Sequence, residues 1–125
     1  MIARMRHTIL VADDEATIRA LVRATLSSAG YDVIEAAGGG EALELARSAR
    51  PDLIVLDLMM PGRSGLEVLR ELQADPELAA TPVVMLSART LAADREAAAA
   101  DGADRFLAKP FSPRELVRVV ADVLG

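Results

Sequence analysis

Four apolar segments of the chain each end at a polar side chain that could take part in chemistry. Asp13 and Asp14 follow the first segment, and Asp57 ends the run LIVLD. Ser87 and Lys109 stand at the ends of two later segments. Carboxylates that lie close together repel one another unless protons or a cation intervene. A hydroxyl and an ammonium suit the oxygens of a phosphoryl group, so the set is typical of metal-assisted phosphoryl chemistry.

The acidic residues predict a hard divalent cation as the cofactor. Mg²⁺ prefers oxygen ligands, takes few carboxylates and keeps several waters, and Mn²⁺ is expected to substitute for it. The ligands that zinc or copper prefer are scarce, because the only histidine, His7, precedes the first segment and cysteine is absent. Aspartate is a known covalent phosphoryl acceptor. The sequence therefore predicts Mg²⁺-assisted phosphorylation with Asp57 as the nucleophile.

Each of these residues has a plainer interpretation when it is taken alone. Asp13 and Asp14 could cap the first helix, which is a common role of aspartate. Ser87 could be a turn residue, and Lys109 before a proline could be a solvated loop lysine. The chemical interpretation is favoured because the side chains are predicted to meet at one edge of a sheet.

The elements that must position these residues alternate between apolar strands and amphipathic helices. Continuous apolar runs are typical of parallel strands that are covered on both faces. They predict strands at 8–12, 31–36, 52–57, 83–87 and 104–108. Apolar residues at three- and four-residue spacing predict helices at 15–29, 41–49, 65–74 and 91–101, and a last helix capped by Ser112. The three glycines at 38–40 are expected to form a flexible turn.

Five such units predict one fold class. This is an α/β, doubly wound, three-layer (flavodoxin-like) parallel sheet of five strands in the order 2-1-3-4-5, with five helices. Strand 2 then lies at the edge, and it ends in Ala36 and Ala37 where the other strands end in polar residues. Ligands of open α/β sheets bind at the carboxyl ends of the strands. The four polar strand ends are therefore predicted to converge at that edge.

Composition limits the number of domains, the location and the partners. With 125 residues, 52% of them hydrophobic, the chain is expected to be a single domain, 1–125, without an output domain. The formal net charge of −5 argues against direct binding to nucleic acid or to an anionic membrane. The absence of cysteine, of a signal sequence and of a membrane span is compatible with the cytoplasm.

Four motifs at the strand ends resemble the receiver domains of two-component response regulators, the chemotaxis regulators included. They are VADDE with Asp13 and Asp14, DLMMPGRSG with Asp57, LSA with Ser87, and FLAKPFSP with Phe106, Lys109 and Pro110. The resemblance runs from about Thr8 to Leu124. It implies a phosphoacceptor switch in signal transduction that catalyses only its own phosphorylation and dephosphorylation.

The resemblance also implies a role for each acidic residue. Asp57 takes a phosphoryl group from a histidine kinase or a histidine phosphotransfer protein. Asp14, Asp57 and the backbone carbonyl of Met59 hold Mg²⁺, and Asp13 acts mainly through a metal-bound water. Met59 and Arg89 flank the site and are expected to tune the lifetime of the aspartyl phosphate.

The remaining motif residues are implied to form the switch. Ser87 and Lys109 bind phosphoryl oxygens, and a cis peptide bond joins Lys109 to Pro110. Phe106 corresponds to the aromatic residue that swings inward when Ser87 moves. Because Phe106 has no phenol hydroxyl, its movement is expected to act by packing, and it changes the surface of helix 4, strand 5 and helix 5.

Other functions stay open at this point. A flavin mononucleotide carrier shares the fold, but it needs a small-residue phosphate loop where this chain has two acids. A haloacid-type phosphatase needs a second acid two residues after its nucleophile, where Met59 stands. A scaffold of the same fold that takes no phosphate is the third alternative.

The output of the switch is also open. The second half of the chain is similar to receivers that carry winged-helix DNA-binding domains and dimerise through helix 4, strand 5 and helix 5. Arg95, Asp104 and Arg118 could supply part of such an interface. The partners are therefore a downstream protein or an attached output domain, and a phosphorylation-dependent homodimer is an alternative.

Overall fold

The structure is a computed structural model, and it describes residues 6–88 and 91–125. The strands are β1 (Thr8–Ala12), β2 (Asp32–Ala36), β3 (Leu53–Asp57), β4 (Val83–Ser87) and β5 (Arg105–Ala108). The helices are α1 (Ala16–Ser28), α2 (Gly39–Ala49), α3 (Gly65–Ala74), α4 (Ala92–Ala100) and α5 (Pro113–Leu124). None of these helices is long and apolar enough to cross a bilayer.

The strands form one parallel sheet in the order β2-β1-β3-β4-β5, which confirms the predicted fold class. The register aligns the ends that carry the polar residues. Ala12 pairs with Leu56, Asp57 pairs with Leu86, and Ser87 pairs with Ala108. Each polar residue therefore lies at or just past the end of its strand, on the same edge of the sheet.

Two hydrophobic layers cover the two faces of the sheet. Alternate strand residues point to opposite faces, so β1 sends Leu10 to one layer and Ile9 to the other. The first layer packs against helices α2, α3 and α4 through Leu43, Leu69, Leu72 and Ala98. The second packs against α1 and α5 through Val22, Leu26, Leu116 and Val120. This burial explains why the central strands are continuous apolar runs.

Two of the helices begin with the same reciprocal cap. Ser64 accepts a hydrogen bond from the Glu67 amide, and the Glu67 carboxylate accepts one from the Ser64 amide. Ser112 and Glu115 repeat the arrangement at α5, with Pro113 in the first turn as predicted. The cap of α5 begins that helix directly after the Lys109–Pro110 segment.

Element boundaries differ from the sequence prediction at a few residues. Strands β2, β3 and β5 each begin one residue later than predicted. Tyr31 is outside β2 because its amide donates to the Leu26 carbonyl, a bond that closes the end of α1.

The prediction of a flexible turn at residues 38–40 was wrong. Gly38 is the N-cap of α2, and Gly39 and Gly40 form its first turn. A Cβ atom on Gly39 would lie 2.9 Å from the side chains of Arg63 and Val68. Glycine is needed at position 39 because the helix start packs directly against the segment that follows β3.

Candidate functional site

The turn between β1 and α1 positions Asp13 and Asp14. Asp13 is fully buried, and its amide donates to the Ala36 carbonyl at 3.2 Å. Its Oδ1 atom accepts a hydrogen bond of 2.9 Å from the Glu15 amide, which fixes the turn. Glu15 is the N-cap of α1 and makes no side-chain cap bond. Neither aspartate is therefore the N-cap residue, and Asp13 holds the turn instead.

Asp57 lies at the end of the central strand β3 and is only 2% exposed. Its Oδ1 atom accepts a long hydrogen bond of 3.3 Å from the Met59 amide. Behind it, Gly65 packs against the peptide backbone of Asp57 and Leu58 at the start of α3. The carboxylate is therefore held at the sheet edge by a strand on one side and a helix start on the other.

Lys109 brings a positive charge to these acids from the end of β5. Its Nζ atom lies 2.8 Å from Asp13 Oδ2, 3.4 Å from Asp57 Oδ1 and 3.7 Å from a Glu15 carboxylate oxygen. The lysine side chain is 10% exposed, and its amide donates to the Ser87 carbonyl at 2.7 Å. The Lys109–Pro110 peptide bond is cis. The alternative of a solvated loop lysine does not describe this residue.

The three aspartates form one cluster. Asp13, Asp14 and Asp57 each offer a carboxylate oxygen, and these oxygens lie within 4.8 Å of one another. Asp13 and Asp57 are buried, whereas Asp14 is exposed. Three oxygen donors of this kind fit a hard divalent cation such as Mg²⁺ or Mn²⁺ and offer none of the sulfur or imidazole ligands of zinc.

The surroundings raise the pKa of both Asp57 and Lys109. Burial and the neighbouring Asp13 charge raise the pKa of Asp57 to about 6, although Lys109 and the Met59 amide oppose the change. Burial alone would lower the pKa of Lys109. The hydrogen bond to Asp13 and the charges of Asp57 and Asp13 outweigh it, so the lysine pKa is raised. Lys109 therefore stays charged at neutral pH.

The other predicted residues lie at or near this edge. Ser87 is fully buried at the end of β4, beside the strand position that pairs with Asp57. Met59 is two residues past Asp57 with its side chain half exposed. Phe106 is partly buried in β5, and the Arg95 guanidinium carbon lies 5.2 Å from its ring centroid. Arg89 lies outside the described residues.

Among the described residues, Glu15 and Arg19 also contact the site, although the sequence pattern did not indicate them. Glu15 approaches Lys109, and Arg19 donates to the Asp13 carbonyl while pairing with Glu35 of β2. One signal for this contact was available, since Glu35 is a charged residue inside an apolar strand. The spacing of Arg19 on α1 gave no indication of which group it would reach.

Comparison with known proteins identifies the family. The family model for the response regulator receiver domain matches residues 9–121. The chain belongs to this family. The transcriptional regulatory protein ResD of Bacillus subtilis is 47% identical over 116 residues, which are 93% of this receiver domain chain and 47% of ResD. The DNA-binding response regulator MtrA of Mycolicibacterium paratuberculosis is 42% identical over 113 residues, 90% of this chain and 49% of MtrA.

Solved structures of the family share the same fold. The chemotaxis protein CheY4 of Vibrio cholerae superposes on the receiver domain with a TM-score of 0.92 at 36% identity, covering 95% of this chain and 99% of CheY4. The chain spans about half the length of the curated relatives it matches. The resemblance inferred from the four motifs is therefore confirmed for family and fold.

Proposed function

We propose that this receiver domain is a signalling switch whose Asp57 accepts a phosphoryl group from the phosphohistidine of a histidine kinase or a histidine phosphotransfer protein. The observation that carries the proposal is the contact of one buried carboxylate, Asp57, with the Lys109 ammonium at 3.4 Å beside two further acids. Burial and the charge of Asp13 raise the pKa of this carboxylate to about 6, and it ends the central strand.

The transfer exchanges one bond to phosphorus for another. A carboxylate oxygen of Asp57 attacks the phosphorus, an O–P bond forms, and the N–P bond of phosphohistidine breaks. The released imidazole nitrogen takes the electron pair and a proton from solvent. Lys109, which already contacts Asp57, would pair with a phosphoryl oxygen, and the Ser87 hydroxyl would donate to another. Hydrolysis of the aspartyl phosphate resets the domain, so it acts only on its own phosphoryl group and is not an enzyme for other substrates.

Mg²⁺ fits the three aspartates as the cofactor. Asp14, Asp57 and the Met59 carbonyl would hold it directly, and Asp13 would act through a bound water. When bound, the ion neutralises charge that builds up on the phosphoryl oxygens during transfer. Asp13 is buried and already fixed by Glu15 and Lys109, so it would keep its orientation.

The phosphoryl group would then act on the surface of α4, β5 and α5. It adds roughly two negative charges beside the end of β4, and it biases an existing equilibrium between two arrangements. Phe106 is the residue through which packing would change, with Ser87 drawn toward the phosphoryl group. The guanidinium of Arg95 over the Phe106 ring and the hydrogen bond from the Val83 amide to Asp104 would have to accommodate that change.

The partners follow from the family and from the length of the relatives. A histidine kinase or phosphotransfer protein supplies the phosphoryl group, and a downstream protein or an attached output domain receives the signal. Since MtrA is named a DNA-binding response regulator and this chain matches about half of it, we propose that the domain works as the receiver part of a transcriptional regulator. A phosphorylation-dependent homodimer and a cytoplasmic location stay predictions.

Phosphorylation by a small-molecule donor tests the proposal. Native protein incubated with acetyl phosphate and Mg²⁺ should gain one phosphoryl group by intact mass, and Asp57→Asn should gain none. Asp122→Asn, which removes an exposed carboxylate on α5, is the matched control and should behave like the native chain. No mass gain in the native protein would contradict the proposal and favour the inactive scaffold. Equal gain in Asp57→Asn would show that another residue is modified.

A further inference from the structure

The buried Asp13 is held by β2 through two routes. In the direct route, the Asp13 amide donates to the carbonyl of Ala36, the last residue of β2. In the indirect route, Arg19 Nη1 donates to the Asp13 carbonyl at 2.7 Å, and Arg19 Nε donates to Glu35 Oε1 of β2 at 3.3 Å. The edge strand therefore contacts the Asp13 amide directly and the Asp13 carbonyl through Arg19, although its own end carries no polar side chain.

Arg19 is well placed to fix the turn that carries the acids. It lies in the first turn of α1, its amide donates to the Glu15 carbonyl, and its side chain is 17% exposed. The guanidinium fork can serve two acceptors at once in a fixed plane. Hydrogen bonds from a charged donor are also shorter and stronger than neutral ones. Loss of Arg19 would leave the carbonyl of a buried residue without this donor, and the turn would rearrange to satisfy it.

We propose that Arg19, oriented by Glu35, is a positioning residue that holds the Asp13–Asp14 turn in the arrangement that binds a divalent cation. This inference rests on the proposed function for its metal. It predicts that the outer contact from Glu35 through Arg19 to the Asp13 carbonyl controls the metal affinity. Neither Arg19 nor Glu35 touches the phosphoryl group or the metal in this scheme.

The sign of the effect separates positioning from simple electrostatics. Arg19 carries a positive charge near three acids, so removal of its charge alone should strengthen the binding of a cation. Removal of a positioning contact should weaken it. Arg23 provides a matched control because it also pairs with Glu35, at 2.7 Å, and its half-exposed side chain lies one turn further along α1.

Binding of Mn²⁺ to the unphosphorylated protein, followed by the electron paramagnetic resonance signal of the free ion, is the first measurement. Arg19→Met should weaken Mn²⁺ binding about tenfold, as loss of a contact outside the metal ligands commonly does. Arg23→Met should bind Mn²⁺ as tightly as the native chain or slightly more tightly. Equal or tighter binding by Arg19→Met, or an equal loss in both variants, would overturn the proposal.

Amide hydrogen exchange in metal-free buffer is the second measurement, and it does not depend on phosphorylation. The Glu15 amide, which donates to Asp13, should exchange about tenfold faster in Arg19→Met than in the native chain. Unchanged exchange would overturn the positioning role whatever the metal does. Failure of the native chain to bind Mn²⁺ would instead contradict the proposed function, and the exchange result alone would then decide the role of Arg19.

A second variant keeps the test decisive if Arg19→Met does not fold. Arg19→Lys keeps the charge, but a single ammonium cannot reproduce the fork between Glu35 and the Asp13 carbonyl. It should bind Mn²⁺ several-fold more weakly than the native chain at the same net charge. Native affinity in Arg19→Lys would overturn the proposal.

Discussion

The Lys109 ammonium lies between acids that come from the ends of two other strands. Its distances to Asp13 and Asp57 are short enough for direct ion pairs in a site that is mostly closed to water. Even so, burial and the charge of Asp13 raise the pKa of Asp57 to about 6. A carboxylate with a raised pKa destabilises the folded state wherever it is ionised.

The first prediction concerns the pH dependence of stability in Asp57→Asn. The folded chain holds the Asp57 proton up to about pH 6, whereas the unfolded chain releases it near pH 4. The unfolding free energy of the native chain should therefore decrease as the pH rises through this window, by about 3 kcal/mol at most. Asp57→Asn lacks this titration. In metal-free buffer it should be more stable than the native chain at pH 7, and the difference should shrink as the pH falls to 4.

Urea unfolding at several pH values measures this difference. Asp122→Asn is the control, because it removes a half-exposed carboxylate on α5 that lies outside the cluster. The effect of Asp57→Asn on the unfolding free energy should change more over this pH range than the effect of Asp122→Asn. A pH-independent difference for Asp57→Asn would show that the burial of Asp57 does not govern its ionisation.

At the scale of single residues, the sequence could predict which polar side chains lie at strand ends. It could not predict which other side chains contact them. Asp13, Asp57 and Lys109 were predictable because a polar residue at the end of a buried strand must lie at the sheet edge. Arg19 and Glu35 were not selected, because helical periodicity assigns a residue to a face and says nothing about the reach of a long side chain. Their contact joins α1 to β2, and these two elements come together only in the folded chain.

The start of α3 packs directly against the backbone of the proposed phosphoacceptor, Asp57. Gly65 begins the helix, its amide donates to the Leu58 carbonyl, and a Cβ atom there would lie 2.2 Å from the Asp57 carbonyl oxygen. The helix approaches the strand end so closely that only glycine fits. The position of Asp57 therefore depends on the absence of a side chain eight residues later.

The second prediction is a loss of stability in Gly65→Ala. The added methyl group should push α3 away from β3 and cost about 3 kcal/mol of unfolding free energy. Gly40→Ala is the matched control, since a Cβ atom there meets open space in the first turn of α2. It should leave stability unchanged or raise it by up to about 1 kcal/mol. Chemical denaturation of both variants checks the prediction, and equal stabilities would contradict the close contact.

At the element scale, the sequence predicted each described element and missed some ends. The capping box at Ser112 was visible because serine, proline and glutamate stand at the required spacing. The start of α2 was not, because three glycines are also typical of a flexible turn. The reason for glycine at position 39 is a contact with Arg63 and Val68 from another part of the chain, and local sequence cannot show such a contact.

The whole molecule is a sheet between two hydrophobic layers, and the carboxyl edge carries the acids. The two layers were predictable because apolar strands of five residues and amphipathic helices leave few ways to cover both faces of a sheet. The strand order was predicted because 2-1-3-4-5 is a common order for small doubly wound sheets. The sequence could not show how far each acid is buried. Asp13 and Asp57 are buried, whereas Asp14 is exposed.

The third prediction concerns the response of the whole domain to Mg²⁺. A ligand that binds only the folded state raises the thermal midpoint, and the stabilisation grows with the logarithm of the ligand concentration once that concentration exceeds the dissociation constant. Mg²⁺ at about ten times its dissociation constant should raise the midpoint of the native chain by about 5 °C. Asp14→Asn should lose most of this rise. Asp32→Asn, an exposed acid of β2 that pairs with Arg6, should keep it.

Scanning calorimetry at constant ionic strength, with KCl in place of MgCl₂ as the reference, checks this response. An equal rise with both salts would indicate general screening of the negative chain. An equal rise in Asp14→Asn and the native chain would place the ion elsewhere.

Lys109, the only lysine in the chain, gives the acidic cluster an internal counterion. We therefore expect the domain to fold without an added divalent cation, because the Lys109 ammonium already balances part of the negative charge of Asp13 and Asp57. Under the proposed mechanism, magnesium starvation would silence the switch and leave a folded protein behind. Signalling could then resume as soon as the ion returned, with no need for new synthesis or refolding.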